Sequence, residues 1–274
     1  MDVFPRVFLL VFCQLAVGGL LCLAIPPFHQ VERGYYKSSA SVYVLIAALA
    51  LVGRVSLWWN AGGGGAWGWI EIGLWAVFVG CALGYLVSLW GERVALRARL
   101  FTASWLSGFG ALLVLAEGYR QAPVLSFETF FFPLSFVLSA LLLGAAASGM
   151  LLGHWYLIDR DLSLVPLDRT LRLYRGCLNV QVALVAAAVL VLGLAGSAPA
   201  RDGVRELLSD HPALFAIRLA VSPLCAALLG WMIRRTLDIP QTMAATGLFY
   251  IAVLVVLVGE LLGRFLLFRT GLAL

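Results

Sequence analysis

Glu260 and Arg264 stand four residues apart inside an otherwise apolar run, GLFYIAVLVVLVGELLGRFLLFR at 247–269. Residues at that spacing share a helix face, so the carboxylate and the guanidinium can pair. An ionisable side chain placed in hydrocarbon costs at least about 2.5–3.5 kcal/mol on insertion scales, so it faces protein or a wet cavity and often marks function. The combination recurs along the chain. Arg54 lies near the far end of an apolar run at 41–59, and Glu71 lies near the start of the next, at 69–90. Glu117 and Tyr119 close a run at 100–118, and Arg218 falls in the first third of one at 213–233. Carboxylates in such places take and release protons. Guanidiniums stay charged, and hold a carboxylate or an oxygen-bearing head group by charge-assisted hydrogen bonds.

Apolar helices must position these groups. The 274 residues are 62% hydrophobic and only 12% charged, against about 25% charged for a soluble domain. A span needs about 20 apolar residues. Eight runs qualify, at 7–25, 41–59, 69–90, 100–118, 130–157, 174–195, 213–233 and 247–269. The expected fold is all-α: a polytopic integral membrane protein of eight transmembrane helices, forming one membrane domain over 1–274 with no soluble domain. The first run is long enough to span and is read as a helix, not as a cleaved leader. GAAASG at 144–149 offers small residues for close helix approach. The polar stretch 198–212 carries an REL segment suited to a short surface helix. The glycines at 62–65 follow no strand and include no lysine, so they read as a tight connection and not as a phosphate loop.

Arginine dominates the net charge of +5 and reads as a topology signal. Loops 1–2, 3–4, 5–6 and 7–8 hold eleven basic side chains, among them Arg33, Lys37, Arg93, Arg97, Arg160 and Arg234, against five on the opposite face. The positive-inside rule places those loops in the cytoplasm and both termini outside; the expected location is a bacterial cytoplasmic (inner) membrane, with the termini periplasmic. In that orientation Arg54, Glu71, Glu117, Tyr119, Arg218, Glu260 and Arg264, from five helices, gather towards the outer leaflet. The expectation is one shared hollow for an amphipathic molecule that exchanges protons, and a quinol fits it: its head group needs hydrogen bonds and a proton acceptor. The alternative is a set of helix-packing ion pairs and side chains snorkelling to the interface.

A second polar group, His154, Tyr156, Asn179 and Gln181 with His29, reads as lying on the inner side. His29 and His154 leave open a haem-b quinol cytochrome, although His29 follows a Pro pair in a loop. His211 reads as a solvated residue or helix cap. The five cysteines (Cys13, Cys22, Cys81, Cys177, Cys225) form no CxxC pair, so no iron–sulfur or zinc site of the chain's own is expected.

Three stretches resemble the NrfD-like integral membrane subunits, and most closely the anchor subunits of dimethyl sulfoxide reductase. They are FLLVFCQLAVGGLLCLA at 8–24, the Tyr–Pro–aromatic–Pro order over 119–133, and VGELLGRFLLF at 258–268, which is similar to a GELxGRxxFY ending. The resemblance implies a membrane anchor that binds a ferredoxin-like iron–sulfur subunit and a molybdopterin catalytic subunit. It implies electron exchange with the quinone pool, menaquinone or ubiquinone, with no bound metal or haem. Gln14, Tyr119, Glu260 and Arg264 match motif positions of the family, and Glu71, in WIEIG, matches its acidic residue at the start of the third span. The family's quinol-linked histidine at the outer end of span two is missing from GRVSLWW at 53–59. Arg54 cannot accept a proton, which leaves Glu71, Glu117 or Glu260. Glu71 and Glu260 are therefore the expected proton handlers, Arg54 and Arg218 their charge partners or head-group donors, and Tyr119 a hydrogen-bond donor. The segment 153–169 has no counterpart in the resemblance and is a candidate docking surface. A transporter or a purely structural membrane subunit remains the rival reading, although no internal repeat is evident.

Overall fold

The computed structural model describes residues 3–60, 62, 65–120, 126–159 and 161–273. Part of the glycine run (63 and 64), part of the 119–133 stretch (121–125) and Arg160 lie outside the described residues. Among the described residues the chain is helical, with no strand. The elements are α1 (Val3–Cys22), α2 (Arg33–Asn60), α3 (Ala66–Ser88), α4 (Val94–Tyr119), α5 (Glu128–Trp155), α6 (Val165–Ala195), α7 (Ala198–Ser209), α8 (Pro212–Leu219), a π-helical turn (Ala220–Cys225), α9 (Ala226–Asp238) and α10 (Thr242–Thr270). Eight of the helical stretches are long and apolar enough to cross a membrane, with α8, the π turn and α9 making one of them, Pro212–Asp238. The chain is a multi-pass membrane protein.

The helices start before their apolar runs, α2 and α6 by the most. α2 begins eight residues before its run, because Tyr35 and Tyr36 are buried in its first turn and Tyr36 Oη donates to the Pro26 carbonyl at 2.8 Å. α6 begins at Val165 instead of 174, with Pro166 at a position where a missing N–H costs nothing. Its buried Leu167, Leu171 and Tyr174 extend one helical face beyond the apolar run.

α5 is the central helix and packs against α1, α4, α6 and α10. The small-residue stretch acts as expected. A Cβ on Gly144 would overlap the backbone of Gly18, and one on Gly149 would overlap the Phe249 ring. The bundle therefore closes on α5 from α1 on one side and α10 on the other. α2, α3 and α4 complete one flank, and α6 and α9 the other. α7 is the surface helix expected from the REL segment. It buries Ala200, Val204 and Leu207, and its N-cap, Ser197, accepts from the Ala200 N–H. Exposed tryptophans stand near both ends of the bundle, with Trp59, Trp67 and Trp69 at one and Trp90 and Trp231 at the other, the pattern of aromatic belts at membrane interfaces.

Candidate functional site

The hairpin of α2 and α3 makes the first site. Arg54 lies six residues before the end of α2, and Glu71 five after the start of α3. A rise of 1.5 Å per residue puts both about 8–9 Å below the same end of the bundle. There Arg54 Nε donates to Glu71 Oε1 at 2.8 Å, and Arg54 Nη2 contacts the same oxygen. The side chains are 13% and 16% exposed, so the pair is sheltered but reachable. It lines a cleft of about 230 Å³ together with Arg6, Trp58, Leu115 and Tyr119. The Tyr119 ring stands edge-on to Phe268, with centroids 5.2 Å apart. Glu117 turns away from this cleft and pairs with Arg120, at 2.8 Å from its Nε.

The second site is dry. Glu260 Oε1 accepts from Gln181 Nε2 at 2.6 Å and from Arg218 Nη2 at 3.1 Å, and its Oε2 lies 3.7 Å from Arg264 Nη2. Arg264 Nη2 also donates to Ser139 Oγ at 2.5 Å, and its guanidinium lies over the Phe136 ring at 4.5 Å. Glu260 and Arg264 are fully buried, and Arg218 is 3% exposed. With all three ionised, the cluster carries one net positive charge. Arg218 Nε, Arg264 Nε and Nη1, Glu260 Oε2 and Gln181 Oε1 have no hydrogen-bond partner. Beside Arg218, Gln181, Ser222 and Pro223 runs a crevice of about 10 Å³, the size of a single water.

The shared hollow expected from the sequence is thus two sites. Phe136 stands between them, under Arg264 and with its ring 6.1 Å from that of Tyr119. The reason is lateral: Arg54 and Glu71 belong to the α2–α3 flank, Arg218 and Gln181 to the α6–α9 flank, and α5 with Phe136 stands between them. Glu260 also lies lower, ten residues from the end of α10, about 15 Å down. Gln181 also moves from its expected place on the inner side. Because α6 starts at Val165, Gln181 falls in the middle of the helix and reaches Glu260. Gln14 belongs to neither site. It is fully buried on α1 and donates to the Phe136 carbonyl at 3.3 Å, tying α1 to α5. Of the inner polar group, His29, His154 and Asn179 are exposed and Tyr156 Oη donates to the Ser163 carbonyl. Neither His29 nor His154 is enclosed between helices. His211 is the N-cap residue of α8, and its Nε2 lies 3.9 Å from Glu206.

Sequence reasoning passed over Ser135 and Ser139, which hold Arg264 from α5. Their four-residue spacing in an apolar helix is the signal that would have found them. It also passed over Arg6 and Trp58 as cleft residues.

An eight-span helical bundle whose charged side chains are folded into its interior defines a class, the multi-pass integral membrane protein. The particular family follows from comparison. Residues 66–272, about three quarters of the chain, match the family model of the DMSO reductase anchor subunit (DmsC), and the chain belongs to that family. No curated protein and no solved structure matches it. The matched region holds Glu71, Glu117, Tyr119, Arg218, Glu260 and Arg264, whereas Gln14 and Arg54 precede it.

Proposed function

We propose that this subunit, the membrane anchor of a DMSO reductase-type complex, exchanges electrons between the quinone pool and a partner's iron–sulfur cluster, and that the quinol head group sits in the Arg54–Glu71–Tyr119 cleft. The partners on this reading are a ferredoxin-like iron–sulfur subunit and a molybdopterin catalytic subunit, and the complex sits in the bacterial inner membrane with both termini of this chain outside. The observation that carries the reading is a carboxylate held by a guanidinium in a partly exposed cleft with aromatic walls, Trp58 and Tyr119.

Oxidising a quinol releases two electrons and two protons. The two electrons pass to the partner's iron–sulfur cluster. Glu71 accepts one proton from a head-group hydroxyl as they leave, returns it to water at the mouth of the cleft, and then takes and releases the second proton in the same way. Arg54 fixes the carboxylate in place. The Tyr119 hydroxyl donates to a head-group oxygen, and the lipid-facing side of α2 and α3 takes the tail. Glu260 is given a positioning role through the packing of α10.

Replacing Glu71 by Gln keeps the shape and removes the base. The expected result is a fall of at least about a hundredfold in quinol-dependent turnover, with subunit assembly intact and turnover from a soluble artificial electron donor unchanged. Unchanged quinol turnover in that variant removes Glu71 from the reaction.

A further inference from the structure

A second cavity lies at the opposite end of the bundle from Glu71. It measures about 390 Å³ and lies between the turn after α1 and the first turns of α2 and α4. Arg33 and Arg97 line it at the polar end, and Leu23, Val94, Ala98 and Phe101 along the apolar side. The three α4 residues repeat at four and three, and Val94 and Ala98 are exposed on the flank of the helix. The cavity therefore opens sideways, where acyl chains run, as well as towards the loops.

Its charge is unmatched. Among the described residues, neither Arg33 nor Arg97 has a carboxylate within salt-bridge distance, and no acidic side chain lines the cavity. The neighbouring Glu32 and Glu92 are exposed. Arg97 is 6% exposed; its Nη2 donates to the Gly91 carbonyl at 3.1 Å, its guanidinium stands over Phe28, and its Nε has no partner. A buried guanidinium with spare donors and no counter-ion is a site for an anion. Both arginines sit in the first turn of a long helix, where the helix dipole adds positive potential. Tyr85, 4% exposed, also lines this cavity.

We propose that this cavity binds an anionic phospholipid of the leaflet on that side. The phosphate lies between Arg33 and Arg97, and one acyl chain follows Leu23, Val94, Ala98 and Phe101. A basic recess between transmembrane helices, continuous with an apolar groove, matches both halves of such a lipid. Lys37, 4.7 Å over the Trp90 ring, marks the same end as the interface. A zwitterionic lipid would bring an ammonium to a site that already holds two cations, and a free phosphate would leave the apolar wall bare.

The test is the melting temperature of the purified full chain in a neutral detergent, with added phosphatidylglycerol, phosphatidylethanolamine or inorganic phosphate, and native mass spectrometry to count bound lipid. The expected result is a rise of several degrees and one retained lipid with phosphatidylglycerol alone. Arg33→Gln should weaken that binding about tenfold, and Arg33→Gln with Arg97→Gln should abolish it. If the double variant does not fold, loss of affinity in the folded Arg33→Gln chain carries the same weight. An equal response to phosphatidylethanolamine or phosphate, or an unchanged response in Arg33→Gln, overturns the proposal. No quinol takes part in the measurement, so its outcome stands apart from that of the Glu71 variant.

Discussion

Glu260 shows how a single carboxylate can govern a whole bundle. It sits between two guanidiniums that are both out of water. Removing the centre of such a group leaves charges buried without compensation, which costs about 3–5 kcal/mol. Glu260→Gln should therefore lose folded protein, read as a lower melting temperature and poor yield, and adding Arg218→Gln should recover part of the loss. Full recovery of stability in the single variant would show that the cluster is not ionised. The partnership with Arg264 was legible from a spacing of four residues. Arg218 and Gln181 were legible as buried polar groups, but not as partners of Glu260, because periodicity gives the face of a helix and not which neighbour it meets. Arg54 and Glu71 were placed at one end for the right reason, equal distance from a short connection. Their direct pairing needed the actual crossing of α2 and α3.

At the level of the element, the π turn at Ala220–Cys225 decides where Arg218 points. It contains Pro223, which has no N–H to give to a regular helix, and it presses Ser222 against α10 at Gly259. A Cβ on Gly259 would lie 2.5 Å from Ser222 Cβ. Gly259→Ala should push the turn off α10, lengthen the Arg218–Glu260 contact and cost about 1–3 kcal/mol; a variant as stable as the parent would mean the turn adapts freely. Nothing in the sequence except the proline announces this turn. The early starts of α2 and α6 were illegible for a related reason: hydropathy marks the length of chain in lipid, while a helix continues wherever one face stays buried, as at Tyr36 and Leu171. The surface helix α7 was legible from the REL segment in a polar stretch; the small and apolar residues it buries, Ala200, Val204 and Leu207, are what the structure adds.

For the whole molecule, the eight spans were legible from composition alone, since a bilayer imposes a length. The division of the charges between two sites was not, because it depends on which helices meet on either side of α5. α6 is 31 residues long, about 46 Å by helical rise, and so outruns the hydrocarbon core. Its first turns carry Arg169, Arg172 and Arg175 beyond the apolar layer, on the side where the arginine bias predicts cytoplasm. A phosphatase reporter that works only outside the membrane should be active when fused after Ala273 and inactive when inserted at Gly91. The reverse result would invert the bundle and move the Glu71 cleft to the cytoplasmic face.

The surplus cation of the Arg218–Glu260–Arg264 cluster has one more consequence. It lies across Phe136 from the cleft, in dry surroundings, where a fixed positive charge repels hydronium strongly. On the proposed function, a proton released at Glu71 would meet that field towards the α6 flank and open water at the mouth of the cleft. The same knot of side chains that locks the helices together would then set a barrier against proton leakage through the bundle.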